Sequence, residues 1–174
     1  MAYKGKYYAI LTWILACNCS AFDFDVERSI DEVVIPGDAT DYASNMLVPP
    51  EIIPPQSWSQ QLPQEPSAIF VERFEISITN TAREADTDVD DFDWLERIVF
   101  YAESTMPNSA LGRHPIAWVD KPGKKVRLEL ETNKALNLVP YLLEGLTVSS
   151  HVEGRVPPDD ISLIGKARLG VDAL

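Results

Sequence analysis

The sequence predicts an all-β protein: an antiparallel β-sandwich of about seven or eight short strands, with a small β-barrel as the runner-up. Three observations carry this reading. From residue 68 onward, apolar and polar side chains alternate in short runs, as they do on strands with one buried face. The breaks between runs carry turn chemistry, at Met106-Pro107-Asn108-Ser109, Asp120-Lys121-Pro122-Gly123 and Pro157-Pro158-Asp159-Asp160. Only one short stretch reads as helix, which excludes the strand-helix alternation of a parallel sheet. The 174-residue chain shows no internal repeat, and its length suits one hydrophobic core.

The elements follow in order. In residues 22–37, Phe22, Phe24 and Val26 alternate with polar neighbours, Val33-Val34-Ile35 follows, and Pro36-Gly37 closes one or two early strands. Residues 38–66 hold six of the 13 prolines together with Gln56, Gln60, Gln61 and Gln64. Proline removes ladder donors, so this Pro/Gln-rich stretch is expected as an extended strap or linker. Its Met46, Leu47, Val48, Ile52, Ile53 and Trp58 are apolar enough to lie partly against the domain. In residues 68–80, Phe70, Phe74, Ile76 and Ile78 share one parity against Arg73, Glu75, Ser77 and Thr79.

Residues 95–103 are apolar on both faces at Ile98, Val99, Phe100 and Tyr101, as a central strand can be, and residues 115–119 make a shorter strand. Residues 125–131 set Val126, Leu128 and Leu130 against charges. Residues 140–144 read as a short helix, with Pro140 in its first turn and Gly145 as its stop. In residues 146–153, Leu146, Val148 and Val152 alternate with Thr147, Ser149, His151 and Glu153; in residues 161–171, Ile161, Leu163, Ala167, Leu169 and Val171 point inward and Lys166 and Arg168 outward. The expected organisation is a signal at 1–16, a mature N-terminus at 17–37, the strap at 38–66 and the β-sandwich core at 67–174.

The signal is read from Lys4 and Lys6 followed by the apolar run Tyr7 to Ala16. That run is shorter than the roughly 20 residues a permanent spanning helix needs. Cys17 and Cys19 are the only cysteines, and a bridge between them would close too small a loop to restrict the unfolded chain. Ile14-Leu15-Ala16-Cys17 resembles the lipobox of bacterial lipoproteins, differing in Leu15, where that family usually has Ala, Ser or Thr. The resemblance implies lipidation at Cys17 and a bacterial cell-envelope protein held to the membrane by an N-terminal acyl anchor. The alternative is plain cleavage after Ala21, since Cys19-Ser20-Ala21 also offers small residues to a signal peptidase, and a secreted soluble product. With its strand pattern, the chain is similar to the small β-rich lipoproteins of bacterial envelopes, a resemblance that brings no catalytic residues with it.

The net charge is −12, and loss of Lys4 and Lys6 with the signal would make the mature chain two charges more negative. Such a surface repels phosphate backbones, so nucleic acid is not an expected partner, while basic proteins and cations are compatible with it. No HExxH and no glycine-rich phosphate loop is present, and the two histidines, His114 and His151, stand beside no recognisable nucleophile motif. The expectation is a non-enzymatic envelope module that binds another protein or supports an assembly. The alternative is a calcium-binding adhesion or carbohydrate-binding module.

That alternative rests on DTDVDDFDWLE, residues 86–96. Asp86, Asp88 and Asp90 at alternate positions resemble the first ligands of an EF-hand calcium loop, and Asp93 or Glu96 could complete an oxygen shell for Ca²⁺. The resemblance ends where Asp91 stands in place of the turn glycine and Arg97 in place of the final bidentate acid. The second reading makes the same aspartates the solvated tip of a strand connection, with Phe92, Trp94 and Leu95 anchoring its end.

Overall fold

The computed structural model describes residues 24–37, 51–53, 65–82 and 90–173. The expected signal, Cys17, Asp86, Asp88 and most of the 38–66 strap lie outside the described residues. The elements are β1 (Phe24–Ile35), β2 (Glu51–Ile53), β3 (Pro66–Ile78), β4 (Leu95–Ser104), β5 (His114–Asp120), β6 (Arg127–Thr132), helix α1 (Val139–Glu144), β7 (Leu146–Gly154) and β8 (Ile161–Ala173). They form an all-β fold as the alternation predicts. The strands lie in one antiparallel sheet, in the order β1-β8-β3-β6-β5-β4-β7-β2, curled into a half-barrel. The sheet therefore takes in one strand from the expected mature N-terminus and one from the strap.

The β5–β6 seam is short, with only Ala117 and Thr132, and Trp118 and Glu131, paired. A seam that short lets the two halves fold over each other. Their meeting is direct: the rings of Phe74 on β3 and Phe100 on β4 lie 4.4 Å apart, although β6 and β5 separate those strands in the sheet. Around this pair are Ile69, Ile76, Ile98, Leu128, Leu163 and Val171, all buried in one cluster. Each such side chain withdrawn from water is worth about 1.5–3 kcal/mol.

Two local features decide which side chains reach that core. In β3 the pairing with β8 slips between Val71 and Arg73, leaving Glu72 as an extra residue. Because side chains alternate along a strand, the extra residue exchanges the faces: Ile69 and Val71 are buried before the bulge, Phe74 and Ile76 after it. The expected parity holds for Phe74 and Ile76 but not for Phe70, which lies half-exposed on the other face. There its ring lies over Gly170 of β8, where a Cβ would come within 2.6 Å of the Phe70 ring. Val126 is also displaced from its expected inward position; β6 begins one residue later, and Val126 is 56% exposed.

Helix α1 closes one end of the half-barrel. Before it, Asn137 Oδ1 accepts from Ile69 N at 3.1 Å, Asn137 Nδ2 donates to the Ser67 carbonyl at 3.1 Å, and Leu138 N donates to the Ile69 carbonyl at 2.7 Å. These bonds satisfy β3 beyond the reach of β6. Tyr141 and Leu142 turn inward, and Gly145, at φ 89°, ends the helix with a backbone that favours glycine. No helix among the described residues is long and apolar enough to cross a membrane.

Candidate functional site

The loops between β3 and β4, β5 and β6, and β7 and β8 gather at the end of the half-barrel opposite α1. The last residues of the acidic stretch are fixed there by local bonds. Asp91 Oδ1 accepts from Asp93 N at 2.9 Å, the side-chain turn that aspartate favours. Phe92 N donates to the Lys125 carbonyl at 2.9 Å, and Arg155 N to the Trp94 carbonyl at 2.8 Å. Phe92, Trp94 and Leu95 are buried, so the apolar half of DTDVDDFDWLE anchors the entry to β4 as expected.

Above this anchor is an open cavity of about 350 Å³, whose lining includes Asp90, Asp91, Asp93, Lys124, Arg155 and Asp159. Trp94, Val156, Pro158 and Ile161 also line it among the described residues. Arg155 Nη2 reaches the Asp93 carbonyl at 3.1 Å and its carboxylate at 3.4 Å, tying the β7–β8 loop to the acidic turn. Among the described residues, the cavity thus collects four carboxylates against one ammonium and one guanidinium, a mixed-charge lining with acidic excess.

The expected metal set is only partly gathered here. Asp90 and Asp93 line the cavity, whereas Glu96 is exposed at the start of β4, where the β4–β7 pairing slips between Leu95 and Arg97. Asp86 and Asp88 lie outside the described residues. Among the described residues no group of three or more His, Cys, Asp or Glu side chains is placed to hold a metal ion. The sequence reading missed Asp159, Lys124 and Arg155, because they come from two turns remote from the acidic stretch in sequence. The one available signal was their shared turn character.

The two histidines have local partners. His114 meets the Tyr141 ring edge-on at 6.4 Å, and His151, on the outward parity expected for β7, has Nε2 3.7 Å from Glu153.

A second surface is the β1 edge of the sheet. Among the described residues β1 pairs only with β8, so its other side is a sheet edge twelve residues long. Phe24 to Ile30 pair one-to-one with Val171 to Gly165, and a bulge at Asp31-Glu32 then interrupts the register. Glu32 is fixed at that bulge: its carboxylate accepts from the hydroxyls of Thr79 and Thr81, which hold its pKa below the usual carboxylate range. The strand carries Asp25, Glu27, Asp31 and Glu32 against a single Arg28. Two copies of so acidic an edge repel each other; a basic strand does not face that barrier.

No protein-family model matches the chain, and no curated protein matches its sequence.

Proposed function

We propose that this is a non-enzymatic bacterial envelope lipoprotein, anchored through Cys17, whose β-rich domain binds another protein by accepting one of its strands along the edge of β1. The observation that carries the binding reading is the side of that strand left unpaired among the described residues, with its regular Phe24 to Ile30 register and acidic side chains. An open edge offers main-chain donors and acceptors to an extended partner segment, and side-chain charge then selects which segment pairs. The partner segment is accordingly basic and extended. The bulge at Asp31-Glu32 limits the pairing to the first part of the edge and opposes association of the protein with itself. The anchor rests on the apolar run and on Ile14-Leu15-Ala16-Cys17.

Two measurements test the two halves separately. A photo-crosslinking residue placed at Glu27 or Ser29 in living cells is expected to capture one discrete partner, and the same residue at Lys124, at the loop end, is not. Equal capture from both places, or none from β1, refutes strand addition. Mass spectrometry of the mature N-terminus is expected to find an acylated Cys17, whereas a free Phe22 removes the membrane anchor and leaves a secreted protein.

A further inference from the structure

The outer face of β5, β4 and β7 carries a row of partly sheltered residues apart from the core. Val99 is 3% exposed yet lies outside the central cluster, with Trp118 directly opposite on β5 and His151 directly opposite on β7. In the neighbouring row, Tyr101 faces Pro115 on one side and Ser149 on the other. Across that row lies Arg113. Its guanidinium carbon is 3.9 Å from the Tyr101 ring centroid, and Nη2 is 3.3 Å from Ser149 Oγ.

This arginine differs from others in the molecule. Arg73, Arg97, Arg127, Arg155 and Arg168 each sit against a carboxylate, whereas Arg113 is held by a phenol ring and a hydroxyl. The chain has 27 acidic side chains, so a carboxylate partner was not scarce. The support beneath Arg113 is also built. Leu111 N donates to Ser109 Oγ at 3.1 Å, Tyr141 donates to the Leu111 carbonyl at 3.0 Å, and Ser109 itself donates to Glu144 at 2.5 Å. A guanidinium held over an aromatic face keeps the N–H groups not engaged by Ser149 available, and its planar fork matches a carboxylate. Fixing it before binding reduces the entropy cost of capture.

We propose that Arg113, laid on Tyr101 and braced by Ser149, receives a single carboxylate borne by a polypeptide, either its C-terminus or an acidic side chain. The net charge of −12 disfavours a polyanion, because each further negative group is repelled by the rest of the surface. Trp118 beside Val99 offers apolar surface to whatever side chain accompanies the carboxylate. This site is independent of the β1 edge and requires no strand addition.

The test is an NMR titration of protein labelled with ¹⁵N-arginine, using the dipeptide acetyl-Gly-Phe as free acid and as C-terminal amide. The Nε–H signal of Arg113, identified by its loss in Arg113→Gln, is expected to shift saturably with the acid and not with the amide. Arg113→Lys keeps the charge but loses the flat fork, and should weaken the acid by about tenfold. Arg97→Gln, a control that removes an ion-paired arginine, should leave the titration unchanged. Equal shifts with acid and amide refute the site. An oligouronate that saturates at lower concentration than the peptide acid refutes a polypeptide ligand and makes the face a glycan surface instead.

Discussion

Glu144 stands at the C-terminal end of α1, where the helix carbonyls disfavour a negative charge. It is kept there by two hydroxyls: Ser104 Oγ donates to its carboxylate at 2.6 Å and Ser109 Oγ at 2.5 Å. Those bonds, the Ser104 one foremost, hold its pKa below the ordinary 4.5 against the opposing effect of burial. A carboxyl whose folded pKa is depressed stabilises the fold above its unfolded pKa, and the contribution disappears as pH falls through the folded value. Glu32, held by Thr79 and then Thr81, acts in the same direction at the β1 bulge. The melting temperature is therefore expected to fall as pH drops below about 4.5. Glu144→Gln should melt lower than the parent at neutral pH and lose less on acidification, which thermal scans across that range would read. Parallel acid limbs in the two proteins would mean that Glu144 does not contribute. Tyr141 shifts the other way, raised first by burial and then by the charge of Glu144, so its contribution is lost on the alkaline side, above 10.0.

At the level of elements, the bulge in β3 makes a prediction that plain alternation reverses. Ile69 is fully buried, whereas the neighbouring Phe70 is half-exposed over Gly170. Ile69→Ala should cost about 2–5 kcal/mol in urea unfolding, while Phe70→Ala, despite removing the larger side chain, should cost less. Unbroken alternation would put Phe70 in the core and give the opposite order. That contrast also shows what the sequence could convey. Strand positions were legible wherever one face is buried throughout, as in β8, where Leu163, Leu169 and Val171 are buried and Lys166 and Arg168 exposed. The short helix was legible from Pro140 and Gly145, because each acts through its own backbone. The bulge at Glu72 was not, since an extra residue leaves composition unchanged and shows only against the register of β8. The early segment and part of the strap read as separate regions because a strand's place in a sheet is decided by distant pairing partners.

For the whole molecule, the same limit governs the site. Phe92, Trp94 and Leu95 could be read as anchors from their own apolar character, but the cavity above them also needs Lys124, Arg155 and Asp159 from turns that only the curled sheet brings together. That assembly bears on the calcium reading. Divalent binding needs several hard oxygens free to converge, yet Asp93 accepts from Arg155, Asp91 Oδ1 is engaged with Asp93 N, and Glu96 is outside the cavity. A guanidinium and an ammonium in the lining already offset part of the negative charge that would attract a cation. Millimolar calcium is therefore expected to raise the melting temperature no more than magnesium at the same ionic strength, the remaining shift being general screening of a −12 surface. A ligand bound only by the native state stabilises it in proportion to the logarithm of its concentration over its dissociation constant. A calcium-specific rise that grows with concentration and is reversed by chelator would thus show that the native state binds the ion. Loss of that rise in Asp90→Asn, with the parent melting temperature otherwise kept, would locate the ion at that stretch.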